Sequence, residues 1–227
     1  MTAAMDIQAL LLDDATLKPL LLSGKIILAS SLLHLLISVP LACWLAREKG
    51  GIAVIVDTLV TLPLIFPPVA MGFGLLLFFG RHGYFSKVFG DVIVFNFPGL
   101  VIAAFIAGLP LAVRPVQAVL RSAEAVRLYE LAVLLGKRDI TIFACILLPY
   151  AKRSIAAGMI LATGRALGEV GMTLMLGGNI MGRTNTLSLE IYNAVFNGEF
   201  ERAAFLSILV GVIATVLFLL MKKLSNS

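Results

Sequence analysis

The chain of 227 residues is 60% hydrophobic and only 14% charged, whereas an ordinary soluble domain carries about a quarter charged residues. This composition excludes a soluble globular protein, and the length allows a single transmembrane domain over residues 1–227 without a separate globular domain. The formal net charge of +5 does not indicate nucleic acid as a partner. The positions of the basic residues beside the apolar runs matter more than their total.

Five apolar runs predict membrane spans, because about 20 helical residues cross the hydrocarbon core and lipid offers no partner to unpaired backbone groups. The predicted spans cover residues 20–45, 53–79, 100–119, 154–176 and 203–221. The fold class predicted is therefore an all-α membrane protein with five transmembrane helices.

Lysine and arginine in the short loops predict the orientation, since cytoplasmic loops carry more of them. Eleven lie on one side of the predicted spans: Arg47, Lys49, Arg114, Arg121, Arg127, Lys137, Arg138, Lys152, Arg153, Lys222 and Lys223. Six lie on the other side: Lys18, Lys25, Arg81, Lys87, Arg183 and Arg202. We therefore expect the N-terminus outside the cell and the C-terminus in the cytoplasm.

The second predicted span contains Pro63, Pro67 and Pro68, followed by Gly72. Each proline removes a backbone donor and disturbs a helical turn. The sequence therefore predicts a kinked span. The kink is either a packed irregularity, which membrane helices tolerate, or a bend that lines a translocation pathway.

A polar segment over residues 121–153 follows the third span, on the predicted cytoplasmic side. Residues 122–135 are good helix formers. Gly136 fits the position just after a helix end, where a left-handed backbone carries no Cβ penalty. The pattern predicts a first short helix that ends at this glycine.

A second short helix is expected directly afterwards. Asp139 is a suitable N-cap for a helix over residues 140–147, which Pro149 would end. Ile140, Phe143 and Ile146 would share one face by their three-residue spacing. Two short helices meeting at a glycine would make a projecting elbow. The alternative is a solvated loop with an amphipathic helix at the membrane interface.

Arg165 and Glu169 lie four residues apart in the fourth predicted span, hence on one face of a helix. A lone charge at the bilayer centre costs at least about 2.5–3.5 kcal/mol, so both side chains should face the protein or a cavity. They form either a structural salt bridge or part of an anion pathway or gate. Small residues in the same span, including Gly158, Ala162 and Gly168, suggest close helix contacts within the chain or between two copies.

Residues 177–202 form the longest external segment. Leu187, Ile191, Val195 and Phe196 predict an amphipathic helix there. It is a cover over a pathway, a landing site for a soluble protein or a helix at the bilayer interface. The two histidines, His34 and His82, form no metal-ligand cluster, so no metal site is expected.

The polar segment resembles the E-A-A-x-x-L-G signature of ABC importer permeases. The matching residues are Glu130, Ala132, Leu135, Gly136, Phe143, Leu148 and Pro149, with Ile155 and Gly158 beyond them. Two positions differ, since Leu131 replaces the usual alanine and Arg153-Ser154 replaces a Pro-Gly pair. In that family this loop provides the coupling helices that dock on an ATP-binding subunit. The resemblance therefore assigns Asp139 and the matching residues to an ATPase-coupling loop.

Two further motifs resemble the molybdate-type, or oxyanion, branch of that family. Residues 62–68 read L-P-L-I-F-P-P before Gly72, with Arg81-His82-Gly83 downstream, and residues 165–171 read R-A-L-G-E-V-G. The resemblance implies a type I ABC importer permease fold, and places Pro63, Pro67, Pro68, Gly72, Arg165, Gly168 and Glu169 at a translocation pathway or gate.

The resemblance implies a homodimer of permeases in the cell inner membrane, two cytoplasmic ABC ATPases, an extracytoplasmic oxyanion-binding protein and alternating access. The chain has no G-x-x-x-x-G-K-[ST] phosphate loop, so we expect it to have no catalytic residue and no cofactor. ATP and Mg²⁺ would be bound by the partner ATPase. Molybdate is the expected substrate. The alternatives are a tungstate or sulfate permease, or a membrane scaffold that recruits a cytoplasmic protein.

Overall fold

The computed structural model describes residues 13–81 and 83–226. In this part of the chain, all regular secondary structure is helical and no strand occurs. His82 and the first twelve residues lie outside the described residues, so the predictions that involve them are not addressed.

Four described helices are long and apolar enough to cross a bilayer. They are α1 (Asp14–Arg47), α5 (Phe97–Leu120), α7 (Asp139–Leu167) and α10 (Phe200–Asn226, with its apolar part ending at Leu219). The other helices are shorter: α2 (Gly51–Ile65), α3 (Pro68–Phe79), α4 (Tyr84–Phe89), α6 (Ala123–Leu134), α8 (Gly171–Gly177) and α9 (Leu187–Phe196). The helix predicted within the external segment is confirmed by α9.

The second predicted span is not one continuous helix but two, α2 and α3, which are separated at Phe66 and Pro67. Pro67 has an extended ψ of 130°. The proline that follows it disfavours the α conformation at this position, and neither proline can donate a backbone hydrogen bond. Pro63 is accommodated inside α2. The predicted kink is therefore a complete break.

The predicted end of a helix at Pro149 is wrong, because α7 continues through this residue. A π-helical turn over Phe143–Leu147 precedes the proline, and the Leu148 N–H bonds to the carbonyl of Phe143, five residues back. In α1, a second π turn over His34–Ser38 likewise precedes Pro40. A wider turn relieves the clash between a proline ring and the preceding carbonyls, so the helix passes the proline.

The fourth predicted span, residues 154–176, is also wrong as a single helix. Helix α7 ends at Leu167, and α8 begins only at Gly171. The break satisfies its backbone groups with side chains, since the Ser188 hydroxyl donates to the carbonyl of Leu167 and the Glu169 carboxylate accepts from the Met172 N–H at 2.8 Å.

The chain divides into two structural units. Unit 1 contains residues 1–30, 66–104 and 165–215, and unit 2 contains residues 31–65, 105–164 and 216–227. Unit 2 has a large apolar core to which α1, α2, α5, α6 and α7 contribute buried side chains, including Leu45, Val60, Val113, Ala132 and Ile142. Unit 1 has a smaller cluster around Ile26, Leu100 and Ala104.

Within unit 1, α3 and α8, the short helices that follow the two breaks, cross closely. A Cβ atom on Gly72 of α3 would lie 2.9 Å from the backbone Cα of Met172 in α8. A Cβ atom on Gly171 would lie 2.9 Å from Pro68 Cβ. The glycines therefore allow a contact distance that larger residues would prevent.

We expect Gly72→Val to destabilise the protein by about 1–3 kcal/mol, because the added side chain would overlap backbone atoms that cannot turn away. Thermal unfolding of the purified chain in lipid nanodiscs measures this. Gly74→Val is the matched control, since nothing lies within 4 Å of a Cβ atom at Gly74 on the same helix. Equal losses in both variants would contradict the close crossing.

Candidate functional site

The first arm of the predicted elbow is α6, and its ends form as the sequence predicts. Ser122 is the N-cap, and its hydroxyl accepts a hydrogen bond from the Ala125 N–H at 3.3 Å. At the other end, Gly136 has φ of +71°. The Gly136 and Lys137 amides bond to the carbonyls of Val133 and Ala132. This pair of bonds is the Schellman motif, which ends a helix at a left-handed residue.

The second arm is the first part of α7, and two predictions about it are wrong. The N-cap is Arg138, which has an extended backbone and no capping side chain, so Asp139 is the first helical residue. The predicted apolar face is only partly correct, because Phe143 and Ile146 pack on the core but Ile140 is 81% exposed. The π turn after Ile142 changes the spacing at which side chains share a face.

Apolar side chains are exposed at the end of the elbow. Its residues are Leu131, Leu134, Leu135 and Ile140, which are 58–81% exposed; we call them the elbow tip. Beside them, Glu130 is exposed and Ala132 is buried in the core of unit 2. Exposed apolar side chains grouped in this way typically mark an interaction surface.

A polar cluster lies at the base of the elbow and joins three helices. The Tyr129 hydroxyl of α6 donates to the Asp139 carboxylate of α7 at 2.8 Å and accepts from the Arg47 guanidinium of α1. Arg47 lies 3.5 Å from the same carboxylate oxygen. The hydrogen bond to Asp139 raises the pKa of the Tyr129 phenol above its usual value. Sequence reasoning missed Arg47 and Tyr129, because the cluster exists only once the chain has folded.

Arg165 and Glu169 form the predicted ion pair, although they do not share one helix. The Arg165 guanidinium is 2.6 Å from the Glu169 carboxylate, and Glu169 lies in the break after α7. The Glu169 side chain is 1% exposed, whereas that of Arg165 is 31% exposed. The second oxygen of Glu169 holds the start of α8 through the Met172 amide. The pair is therefore neutral and fixed to the broken region of unit 1.

The structure brings some of the predicted pathway residues together. Pro68 and Gly72 of α3 contact α8, next to the break that contains Gly168 and Glu169. Gly168 is exposed, and Pro67 is the N-cap of α3. Pro63 belongs to α2 in unit 2 and is not part of this group.

A second charge cluster, between two apolar helices of unit 2, was not predicted. The Arg114 guanidinium of α5 donates to the Asp57 carboxylate of α2 at 2.9 Å, to the Gln117 amide oxygen at 2.8 Å and to the Thr61 hydroxyl. The Gln117 amide donates to the same carboxylate at 2.8 Å. The orientation prediction groups Arg114 with the loop residues, but Arg114 lies inside α5. The sequence did contain a signal for this cluster, because Asp57 and Arg114 are charged residues within two apolar segments, and such charges usually pair.

The small residues of α7 mostly serve contacts within the chain. A Cβ atom on Gly158 would lie 2.9 Å from the Ala112 carbonyl of α5, and one on Gly108 would lie 3.0 Å from Ala162. The buried His34 ring lies against the same part of α5 and bonds to the Ser38 hydroxyl at 2.9 Å. Gly158 and Ala162 are thus explained by the crossing of α5 and α7.

Comparison with known proteins extends these observations. Residues 38–227 match the family described as "Binding-protein-dependent transport system inner membrane component". The "Molybdenum transport system permease protein ModB" of Mycobacterium tuberculosis is 36% identical over 215 residues, covering 93% of this chain and 80% of that protein. The protein of the same name in Escherichia coli is 30% identical over 218 residues, covering 94% and 95%.

A further relative is the "Probable transport system permease protein NifC" of Clostridium pasteurianum, which is 34% identical over 95% of this chain and 76% of its own length. A similar solved structure is that of a bacterial alginate ABC transporter in complex with an alginate pentasaccharide-bound periplasmic protein. Its TM-score is 0.77 at 19% identity, and the match covers 99% of this chain and 83% of that one. At this identity the similarity concerns the fold.

The family match and the long apolar helices define a multi-pass transport permease of the inner membrane. The chain belongs to the family of binding-protein-dependent transport system inner membrane components, and it is the permease subunit of an ABC importer rather than a catalytic enzyme. The predicted all-α permease fold is confirmed. The number of spans and their orientation stay predictions.

Glu169→Gln should destabilise the chain by about 1–3 kcal/mol, because it leaves the Arg165 charge without its partner while the amide oxygen can still accept from Met172. The loss is smaller than for a fully buried pair, since Arg165 is partly exposed. The double change Arg165→Met and Glu169→Gln should restore part of this loss. Unfolding in nanodiscs measures both. Asp91→Asn is the control, since the Arg81–Asp91 pair at 3.0 Å is largely exposed and should contribute less than about 1 kcal/mol. A similar loss in this control would count against a special role for Glu169.

Proposed function

We propose that this chain is the permease of a molybdate importer. The observation that carries the proposal is the similarity, over more than nine tenths of the chain, to permeases named for molybdenum transport. The oxyanion-type motifs at residues 62–68 and 165–171 support the same conclusion. Tungstate and sulfate are tetrahedral oxyanions too, and they define the competing substrates for the test.

The elbow is proposed to dock on a cytoplasmic ABC ATPase. Leu134, Leu135 and Ile140 would enter a cleft on this partner, since their exposure leaves apolar surface that a partner can cover. Gly136 sets the angle between the two arms through its left-handed backbone. The remaining elbow residues, Glu130, Ala132, Asp139, Phe143 and Pro149, support the tip or the arms that carry it.

Two copies of the permease and two ATPases would form the transporter, with an extracytoplasmic binding protein supplying the anion. ATP and Mg²⁺ would be bound by the ATPases. Closure of the ATPase dimer would move the elbows and switch the permease pair from inward-facing to outward-facing. The external segment with α9 is a candidate contact for the binding protein.

The broken region of unit 1 is the proposed part of the anion pathway. Four of the predicted pathway residues interrupt or border helices there: Pro67, Pro68, Gly72 and Gly168. The remaining predicted residue of the second span, Pro63, lies inside α2 in unit 2. Arg165 is partly exposed beside the buried Glu169. A partly exposed cation supplies positive potential for an anion, and its carboxylate partner prevents tight trapping. This favours a transporter over a membrane scaffold, which needs no charge at this depth.

Replacing Gly136 should weaken binding of the partner ATPase by about tenfold, because a β-branched residue at φ of +71° is strained by roughly 1–2 kcal/mol. The measurement is the affinity of Gly136→Val permease, in nanodiscs, for the purified ATPase. Gly182→Val is the matched control, since Gly182 has φ of +72° and open space around it. Unchanged affinity in Gly136→Val would contradict the docking site.

Arg165→Ala should lower uptake of radiolabelled molybdate into proteoliposomes by at least about tenfold, because the pathway loses its positive potential. Arg165→Lys keeps the charge and should retain part of the uptake. The amount of assembled transporter is measured in parallel, and loss of assembly would identify a structural salt bridge. Normal uptake by Arg165→Ala would contradict the pathway role, and competition by tungstate and sulfate tests the choice of anion.

A further inference from the structure

The polar cluster of Arg47, Tyr129 and Asp139 connects the elbow to α1 as well as to α7. We infer that this cluster is a positioning device that makes α1 follow the elbow when an ATPase moves it, a role that rests on the proposed function. The residues that match the importer signature lie in α6 and α7 alone. The participation of α1 comes from the tertiary structure.

Each residue of the cluster comes from a different helix and holds the other two. Tyr129 is central, because its hydroxyl donates to Asp139 at 2.8 Å and accepts from Arg47. The Arg47 guanidinium also lies over the Tyr129 ring, with Cζ 4.3 Å from the ring centroid. This stacking adds a cation–π contact to the ionic contact with Asp139. Displacement of any one helix would break contacts to both others.

The apolar core below the cluster cannot supply this directional constraint alone. Leu45 of α1, Ala132 of α6 and Ile142 of α7 are all buried in it. Interlocking apolar side chains restrict sliding by their shape, but they carry no angular preference of their own. Hydrogen bonds weaken steeply with angle and distance, so the cluster constrains the end of α1, the middle of α6 and the start of α7 relative to one another.

Two other polar contacts in the elbow differ from the cluster in the helices that they join. The Arg121 guanidinium bonds to the Leu45 carbonyl at 2.9 Å, and the Tyr150 hydroxyl bonds to Glu124 at 3.0 Å. The first joins the turn between α5 and α6 to α1, and the second joins α6 to α7. The Arg47 cluster alone among these three contacts joins both arms and α1, and it includes Asp139, the first residue of α7. A push on the tip would therefore reach α1 through it.

The chain contains its own reporter for this cluster. Trp44 is the single tryptophan of the sequence, and it lies in α1 one turn before Arg47. It is 38% exposed and borders a groove of about 420 Å³ together with Arg47, Asp139, Ile140 and Phe143. If the cluster closes this groove, loosening it should expose Trp44 further.

The first test uses the full chain alone in nanodiscs and does not depend on the proposed function. Tyr129→Phe keeps the ring over Arg47 but removes the bridging hydroxyl, and Asp139→Asn removes the carboxylate charge. Both should increase acrylamide quenching of Trp44 and shift its emission to the red. Tyr150→Phe is the matched control, since it removes a hydroxyl from the same elbow away from the groove, and it should match the wild type. Unchanged Trp44 signals in both cluster variants would overturn the inference.

The second test adds the partner ATPase and the anion-loaded binding protein. Tyr129→Phe should bind the ATPase as the wild type does, because the elbow tip is intact. Its anion-stimulated ATP hydrolysis should fall by about three- to tenfold, the expected effect of losing one hydrogen bond in a partly exposed cluster. Unchanged stimulation would refute the coupling role alone. Failure of the wild-type chain to bind the ATPase would instead refute the proposed function, and the coupling role with it.

Discussion

Hydrocarbon offers no hydrogen bonds to a polypeptide backbone, and this constraint determines where the chain can be irregular. Helix α7 ends at Leu167 inside an apolar stretch, so side chains must replace the missing helical partners. The Ser188 hydroxyl bonds to the last carbonyl, and the Glu169 carboxylate bonds to the first turn of α8. The break therefore depends on two buried polar side chains that replace the missing helical partners.

Prolines act in three ways under the same constraint. Pro63, Pro110 and Pro115 lie inside α2 and α5 without a π turn before them. Pro40 and Pro149 each follow a π turn, and their helices continue. Pro67 and Pro68 are adjacent, so two consecutive donors are missing, and α2 and α3 separate. An isolated proline can be relieved by widening the preceding turn, whereas a pair leaves too few backbone bonds to maintain the helix.

Charges within the apolar helices are handled by pairing. Each unit contains such an ion pair, Asp57 with Arg114 in unit 2 and Glu169 with Arg165 in unit 1. Pairing lowers the cost of holding charge among apolar segments. Arg114 is bonded by three side chains and serves to join α2 and α5. Arg165 has one carboxylate partner, and its side chain is exposed to a similar extent, so the two arginines differ in the number of bonds they make and not in access.

The amino-acid sequence determined the features that depend on local chemistry. The apolar runs specify a helical membrane protein, Ser122 and Gly136 specify the ends of α6, and the elbow signature specifies the family. Periodicity could not locate the breaks, because the hydrophobic runs of the second and fourth predicted spans extend on both sides of residues 66–67 and 168–170 while the helices do not. It also could not anticipate that Pro149 would lie inside a helix, since a π turn leaves no composition signal. Only the tertiary structure brought Arg47, Tyr129 and Asp139 together, because they are separated by up to 92 positions in sequence and hydrogen bonds form only when the folded chain places the groups within about 3 Å.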